Sequence, residues 1–334
     1  MNDLNRTALS SKTVKQKAIS LGFHLVGIAS VAPQPSEAEQ VAREHLQSWL
    51  AAGYQADMAW MSSDRRQNIR LIMPNAASVI CVAINYYTPH KRLSGPQYAK
   101  ISRYGWGRDY HRVLTKKLKQ LVRWIQESGE GTEARLYADT GPVQDKFWAQ
   151  QAGLGWIAKN GNLINRSYGS WVFLGEVITS ARLAADKPHS AHCGSCTRCL
   201  SACPTGAIRS PGVVDANRCI AYHTIENRAR ELPKAIAQNL ENWVAGCDIC
   251  QDVCPWNQRF SQGTDETSFE PYPGNVSPTL ASLAQITAED WNRRFPASAL
   301  RRIKPEMLRR NARAAMAANA ATQLEQDTCF EQDE

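Results

Sequence analysis

Residues Cys193 to Pro204 read CGSCTRCLSACP, four cysteines in a C-x2-C-x2-C-x3-C-P spacing. In that spacing three thiolates hold one [4Fe–4S] cluster and the fourth reaches across to a second, so a partner motif is required elsewhere in the chain. It follows as Cys247-x2-Cys250-x3-Cys254-Pro255, with the missing front thiol supplied by Cys219. Pseudo-symmetry then assigns Cys193, Cys196, Cys199 and Cys254 to one cluster, and Cys203, Cys219, Cys247 and Cys250 to the other. Structural zinc is the rival reading of the C-x2-C steps, but zinc takes four ligands per site and has no use for two C-x3-C-P endings. Of the other cysteines, Cys81 sits in an apolar run and reads as core, while Cys329 lies in an acidic tail and reads as a free thiol.

The rest of the chain is long enough to matter. At 334 residues and 43% hydrophobic it buries a sizeable core, as two domains or one large domain with an insertion. Its longest apolar runs, SVICVAINYY (Ser78 to Tyr87) and SWVFLGEVI (Ser170 to Ile178), are far shorter than the roughly 20 residues of a membrane span. The N-terminal stretch shows neither an apolar signal core nor twin arginines, so a cytoplasmic protein is expected, with no membrane partner. Thiols are kept reduced there, which favours metal over disulfides. The net charge is +8, concentrated in Lys100 to Arg123 and Arg293 to Arg313, each with eight cations and one acid. Such stretches suit a polyanion such as nucleic acid, or are solvated helix faces. Residues 323–334, with Glu325, Asp327, Glu331, Asp333 and Glu334, read as an acidic disordered tail.

Residues 1–185 alternate helix-like and strand-like segments. Ser36 and Glu39 form a capping box for a helix toward Leu50. Leu114, Leu118, Leu121 and Ile125 recur at helical spacing from about Asp109 to Glu127. FHLVGIA, SVICVAINY, ARLYAD and SWVFLGEVI read as buried strands. This predicts an α/β or α+β domain, followed by a cysteine-rich unit (186–260) and a basic helical region (261–322).

Two clusters alone would make an electron carrier, which has no need of the upstream domain. Three stretches in it carry site-like chemistry. ISRYGWGRDYH (Ile101 to His111) gathers aromatic and charged residues among glycines just before a helix. YADTGPVQDK (Tyr137 to Lys146) places Asp139 at a strand end. The loop from Gly153 to Glu176, rich in glycine and asparagine, lets backbone approach a large ligand. Each also has a plain structural reading: Asp139 as a turn acceptor, the glycines as bends, His111 as a solvated first-turn residue. No glycine-rich phosphate loop is present, which leaves nicotinamide and ATP binding without support.

Taken together and in order, SRYGWGRDYH, DTGPVQDKFWAQQAGLGWIAKNGNLI, GSWVFLGEVIT, HCGSCTRCLSACPTGAI, RCIAYHTIE and GCDICQDVCPWN resemble the epoxyqueuosine reductase family, over about Ile101 to Asn257. The resemblance implies an α+β protein: an N-terminal α/β corrinoid-binding domain related to nitroreductases and reductive dehalogenases, a bacterial ferredoxin-like domain with two [4Fe–4S] clusters, and a short C-terminal helical region. It implies cobalamin, resting as cob(II)alamin, and a low-potential electron donor protein whose electrons enter singly through the clusters. Cobalamin reduced to cob(I)alamin is a nucleophile able to open the epoxide of epoxyqueuosine at the wobble position of tRNA. The opened ring needs a proton. Asp139 occupies the position of the family's proton donor, a role that requires its pKa to be raised by burial against the corrin. Ser102, Arg103, Tyr104, Asp139, Lys159, Asn160, Asn162, Arg166 and Ser170 are the candidate corrin cradle. The D-x-H-x-x-G motif that supplies a histidine to cobalt is incomplete: Asp109 to Leu114 begins it and lacks the glycine, which implies a base-off corrinoid. Arg293 to Arg313 would grip the tRNA backbone, although many relatives continue into further C-terminal helical repeats. A monomer is expected. The rivals are a dehalogenase acting on a small organohalide, an electron-transfer module without a substrate, and a zinc-stabilised RNA-binding protein.

Overall fold

A strand apolar along its whole length must be covered on both faces. In SVICVAIN every residue is buried. The computed structural model describes the backbone of residues 9–330 and side chains through Leu324. Its N-terminal part runs α1 (Ser11–Ser20), β1 (Leu25–Ser30), α2 (Glu37–Ala51), α3 (Asp64–Gln67), β2 (Ser78–Asn85), β3 (Lys100–Ile101), α4 (Tyr110–Ser128), β4 (Ala134–Tyr137) and α5 (Asp145–Gln151). A hairpin of β5 (Trp156–Ile157) and β6 (Leu163–Ile164) then leads into β7 (Val172–Thr179). The sheet order is β1-β2-β7-β4, antiparallel at every step.

All four strands expected from the sequence are in this sheet, with β2 and β7 at its centre. Ile80, Val82 and Ile84 face α1 and α4, packing with Val14, Leu114, Leu118, Leu121 and Ile125. Val79, Cys81 and Ala83 face the other way, onto Met73, Trp148 and Ala149. Cys81 is thus a core residue. Both expected helix starts are formed: the Ser36–Glu39 capping box opens α2, and the Asp109 carboxylate caps α4 by accepting from the His111 amide. Asp109 is thereby fixed at the start of α4, with Tyr110 and His111 in its first turn.

The cysteine-rich part contributes α6 (Arg198–Ser201), a hairpin of β8 (Ile208–Ser210) and β9 (Val213–Val214), α7 (Ile220–Ile225), α8 (Lys234–Ala237), β10 (Trp243–Ala245), α9 (Ile249–Asp252) and α10 (Pro255–Phe260). It is tied to the N-terminal part rather than appended to it. Strand β10 pairs in parallel with β3, and Ile101, Trp106, Trp243 and Val244 share one core with Trp291, Phe295 and Leu300 of the C-terminal region.

The C-terminal region is helical as expected: α11 (Leu280–Ala284), α12 (Ala288–Arg294) and α13 (Pro305–Phe330). The disordered reading of the tail does not hold for its first part, because α13 continues through it to Phe330. The run NARAAMAANAA (Asn311 to Ala321) is rich in alanine, the strongest helix former, and carries the helix onward. The Cys329 side chain and residues 331–334 lie outside the described residues. Among the described residues no helix is long and apolar enough to cross a membrane.

Candidate active site

The fold leaves a cleft of about 920 Å³ between the loop after β4, the start of α4, the end of α7 and the turn before α13. Asp139 enters it from a left-handed backbone (φ 61°), which aspartate tolerates better than most side chains. Arg66 of α3 clamps the same loop, donating to the Val143 and Gly141 carbonyls at 2.7 and 2.9 Å. One oxygen of Asp139, Oδ2, takes a hydrogen bond from Tyr110 Oη at 2.8 Å and lies 3.1 Å from His111 Nε2. The other ring nitrogen, His111 Nδ1, is 2.7 Å from Asp109 Oδ1. The Tyr110 ring stacks on the imidazole with centroids 4.0 Å apart.

These contacts decide charge. Burial raises the Asp139 pKa, but the hydrogen bonds from His111 and Tyr110 outweigh it and hold the carboxyl below its usual range. Two donors on one oxygen favour the ionised form, whereas the role expected of Asp139 needs a carboxyl raised by burial against the corrin. Burial would lower His111, yet its hydrogen bonds to Asp109 and Asp139 lift it to about 9. The rim of the cleft is cationic and aromatic. Arg302 pairs with Glu226 and lies over the half-exposed Trp60 ring, and Arg301 lies over Trp291.

Of the candidate cradle, Tyr104 and Asp139 line this cleft. The others are held elsewhere. Ser102 and the Arg103 amide donate to Asp248, a fully buried carboxylate that is also paired with Arg92. The Arg103 guanidinium packs over Tyr87 and Trp106. Lys159 Nζ donates to the Gly194 and Cys196 carbonyls, and Asn160 to the Cys250 carbonyl, so adjacent residues brace the two cysteine loops. Asn162 closes the β5–β6 turn, Ser170 donates to Gln251, and the exposed Arg166 meets His192.

None of the eight motif cysteines is joined in a disulfide. Cys193, Cys196, Cys199 and Cys254 wall one small cavity of about 120 Å³ together with Ala158, Ile164 and Trp256. In the second group, burial pushes the Cys219, Cys247 and Cys250 thiols up, and their neighbours push further: Cys203 on Cys219, Cys250 and Cys219 on Cys247, Cys219 on Cys250. Cys250 also feels Cys199 of the first group, which puts the two groups side by side. Among the described residues no three such side chains converge as they would on a single metal ion. The cleft and the cysteines meet at Gly246, beside Cys247. With φ at 74°, a Cβ there would lie 3.1 Å from the Tyr104 ring and 2.6 Å from Ser102 Cβ.

Comparison with known proteins agrees with this architecture. The family model described as "Epoxyqueuosine reductase QueG, DUF1730" matches residues 66–140, and "4Fe-4S double cluster binding domain" matches residues 192–257. An epoxyqueuosine reductase of Synechocystis sp. is 63% identical over 284 residues, 85% of this chain and 98% of that one. The chain belongs to the epoxyqueuosine reductase family. It is accordingly an oxidoreductase with an iron–sulfur double-cluster domain. Among solved structures, the crystal structure of an epoxyqueuosine reductase with an epoxyqueuosine-modified tRNA-Tyr stem loop superposes with a TM-score of 0.84 at 30% identity, over 92% of this chain and 80% of that one. A Bacillus subtilis epoxyqueuosine reductase, with its catalytic aspartate loop swung out of the active site, gives a TM-score of 0.79 at 29% identity, over 92% and 81%.

The cobalamin implied by the family resemblance is compatible with the cleft. His111 is the histidine in its lining, and both ring nitrogens are already engaged by carboxylates. Sequence reasoning overlooked the contact of His111 with Asp139, because 28 residues separate them. It also overlooked a buried acidic pair beneath the site. Glu176, in the middle of β7, is 0% exposed with both carboxylate oxygens lacking a donor, and Asp145 Oδ1 beside it is likewise unpartnered. A charged residue inside the apolar run WVFLGEVIT was the available signal.

Proposed function

We propose that this chain reduces epoxyqueuosine to queuosine at the wobble position of tRNA, with Asp139 transmitting the proton taken up when the epoxide opens. Residues 1–185 would form the cobalamin and substrate part, 186–260 the double-cluster part and 261–322 a region that faces tRNA. Cys193, Cys196, Cys199 and Cys254 would hold one [4Fe–4S] cluster, and Cys203, Cys219, Cys247 and Cys250 the other. Since burial pushes the Cys199, Cys219, Cys247, Cys250 and Cys254 thiols up, loading iron must release protons. Electrons from a low-potential donor protein would reach the first group and cross to the second, the Cys250 side lying nearer the cleft. Bound in the cleft, cobalamin would supply the reduced nucleophile that opens the epoxide.

The chain's own residues position and protonate. Tyr104 joins the cleft wall to the Cys247 loop through its contact with Gly246. Arg66 holds the Asp139 loop in place. At the rim, Trp60 offers a face for a splayed base, and Arg301 and Arg302 offer charge to phosphate. Exposed Arg112, Lys116, Lys119 and Arg123 share one face of α4 and add to the same field. Other cations of the basic stretches are structural: Lys117 pairs with Glu266, and Arg310 caps the His223, Asn227 and Ala229 carbonyls. Action in the cytoplasm as a monomer completes the reading.

The observation that carries it is a carboxylate fixed by two donors in a cleft whose wall abuts a cysteine quartet. An anaerobic cobalamin titration of the iron-loaded protein, followed by absorbance, tests it. One corrinoid per chain with a base-off spectrum is expected. A protein that takes up iron but no corrinoid would overturn the cobalamin assignment and favour an electron-transfer module.

A further inference from the structure

We propose that His111 holds the proton that the opened epoxide takes up, and that Asp139 is the group through which it passes. This rests on the epoxide-reduction reading above. The geometry is an imidazole between two carboxylates, Asp109 Oδ1 at 2.7 Å from Nδ1 and Asp139 Oδ2 at 3.1 Å from Nε2. A neutral imidazole has one N–H and could satisfy only one of them. With both carboxylates ionised, both nitrogens carry protons and the ring is a cation. Tyr110 and His111 both reach Asp139 Oδ2, and these hydrogen bonds favour its ionised form, which has no proton of its own to give. The stacked Tyr110 ring screens one side of the imidazole from water.

The remaining charges facing this site do not cancel the arrangement. Across the cleft Glu226 is engaged by Arg302. Arg301 and Arg66 are cations, and Tyr104 is neutral, its pKa raised by burial. The two carboxylates that touch the ring therefore dominate, and they lift its pKa to about 9.

Deoxygenation of an epoxide to an alkene takes two electrons and two protons and releases water. The proposal concerns the first proton. When the carbon–oxygen bond breaks, its electron pair stays on oxygen as an alkoxide. His111 Nε2 gives its proton to Asp139 Oδ2, and the Asp139 carboxyl gives it to the alkoxide. Asp139 ends as a carboxylate and His111 as a neutral ring, which solvent recharges at the open mouth of the cleft. The electrons come from the donor protein of the reaction and none is drawn from these residues. Asp109 is the positioning residue: it fixes the ring and sustains its charge without touching substrate.

The test is an NMR titration of the holoprotein with oxidised clusters and 15N-labelled histidine, alongside single-turnover rates against pH. One histidine titrating near 9, absent in His111→Gln, is expected. In Asp109→Asn, which keeps the helix cap because asparagine caps as well as aspartate, that midpoint should fall by about one unit or more, roughly tenfold in proton affinity. The alkaline limb of the rate profile should fall with it. A His111 midpoint near the ordinary 6.5 would overturn the proposal. So would a rate profile that stays put in Asp109→Asn while the His111 midpoint moves. Wild-type protein that converts no epoxyqueuosine at any pH overturns the reading of the site itself, whatever His111 titrates at.

Discussion

Glu176→Gln should make the protein more stable at alkaline pH while leaving it unchanged in acid. Glu176 is fully buried, and apart from the neighbouring Asp145 carboxyl no group reaches either oxygen. Asp145 faces it, and the remaining nearby charges are Asp139, Lys146 and Arg66. Two buried carboxyls without donors must share a proton. Burial, then the Asp145 charge, pushes Glu176 well above the usual range. Burial also lifts Asp145 to about 6 against an ordinary 3.8, even with the Glu176 hydrogen bond lowering it. Both folded-state values are raised, so the pair's contribution is complete below the unfolded value of about 4 and is lost as pH rises through about 6. Asp145 owes its rise to its own burial and keeps it in the variant; what glutamine removes is the cost of ionising Glu176, about 1.4 kcal/mol for each unit by which its pKa is raised. A glutamine amide donates to Asp145 without needing a proton from solvent. Urea unfolding of the anaerobic iron-loaded protein, followed by tryptophan fluorescence, should therefore show the variant more stable near pH 8, by about 1.4 kcal/mol or more, and equal near pH 4. Asp252, also raised to about 6, is untouched and cancels in the difference. A gap that is the same at both pH values, or a variant less stable in alkali, would refute the shared proton.

Asp139→Asn should abolish epoxide reduction while iron and cobalamin contents stay at wild-type levels; retained turnover removes Asp139 from the proton path. In Cys250→Ala the iron content should fall by about four per chain, since one cubane is lost, and an unchanged count would contradict the ligand assignment. Arg92→Ala leaves the fully buried Asp248 without its cation, a loss of about 3–5 kcal/mol measurable by urea unfolding; a loss under about 1 kcal/mol would show that Ser102 and the Arg103 amide suffice. Leu118→Ala in α4, which is 0% exposed, should cost about 2–5 kcal/mol in the same assay.

Elements that depend on local pattern were legible in the sequence. The four sheet strands carry apolar runs, and α4 carries leucines at helical spacing behind an aspartate cap. The cysteine spacing was legible for the same reason: ligand geometry is written in short intervals. What depends on long-range assembly was not. The parallel pairing of β3 with β10 joins segments about 140 residues apart and leaves no trace in either short strand. Asp139 was legible as a strand-end acid, but its charge is set by Tyr110 and His111 from another element, which its local sequence does not show. Lys159, Asn160 and Ser170 stand in a loop that looks like a ligand cradle, yet their side chains hold the cysteine loops together. The acidic tail was read from charge alone, while the alanine run before it carries the helix on to Phe330.

The central claim is tested most directly by offering the anaerobically reconstituted and reduced protein a tRNA that carries epoxyqueuosine, then digesting the RNA for mass spectrometry of its nucleosides. The account predicts queuosine, lighter than the substrate by one oxygen, formed only when cobalamin has been supplied. Unchanged epoxyqueuosine, with both clusters and the corrinoid in place, would contradict it.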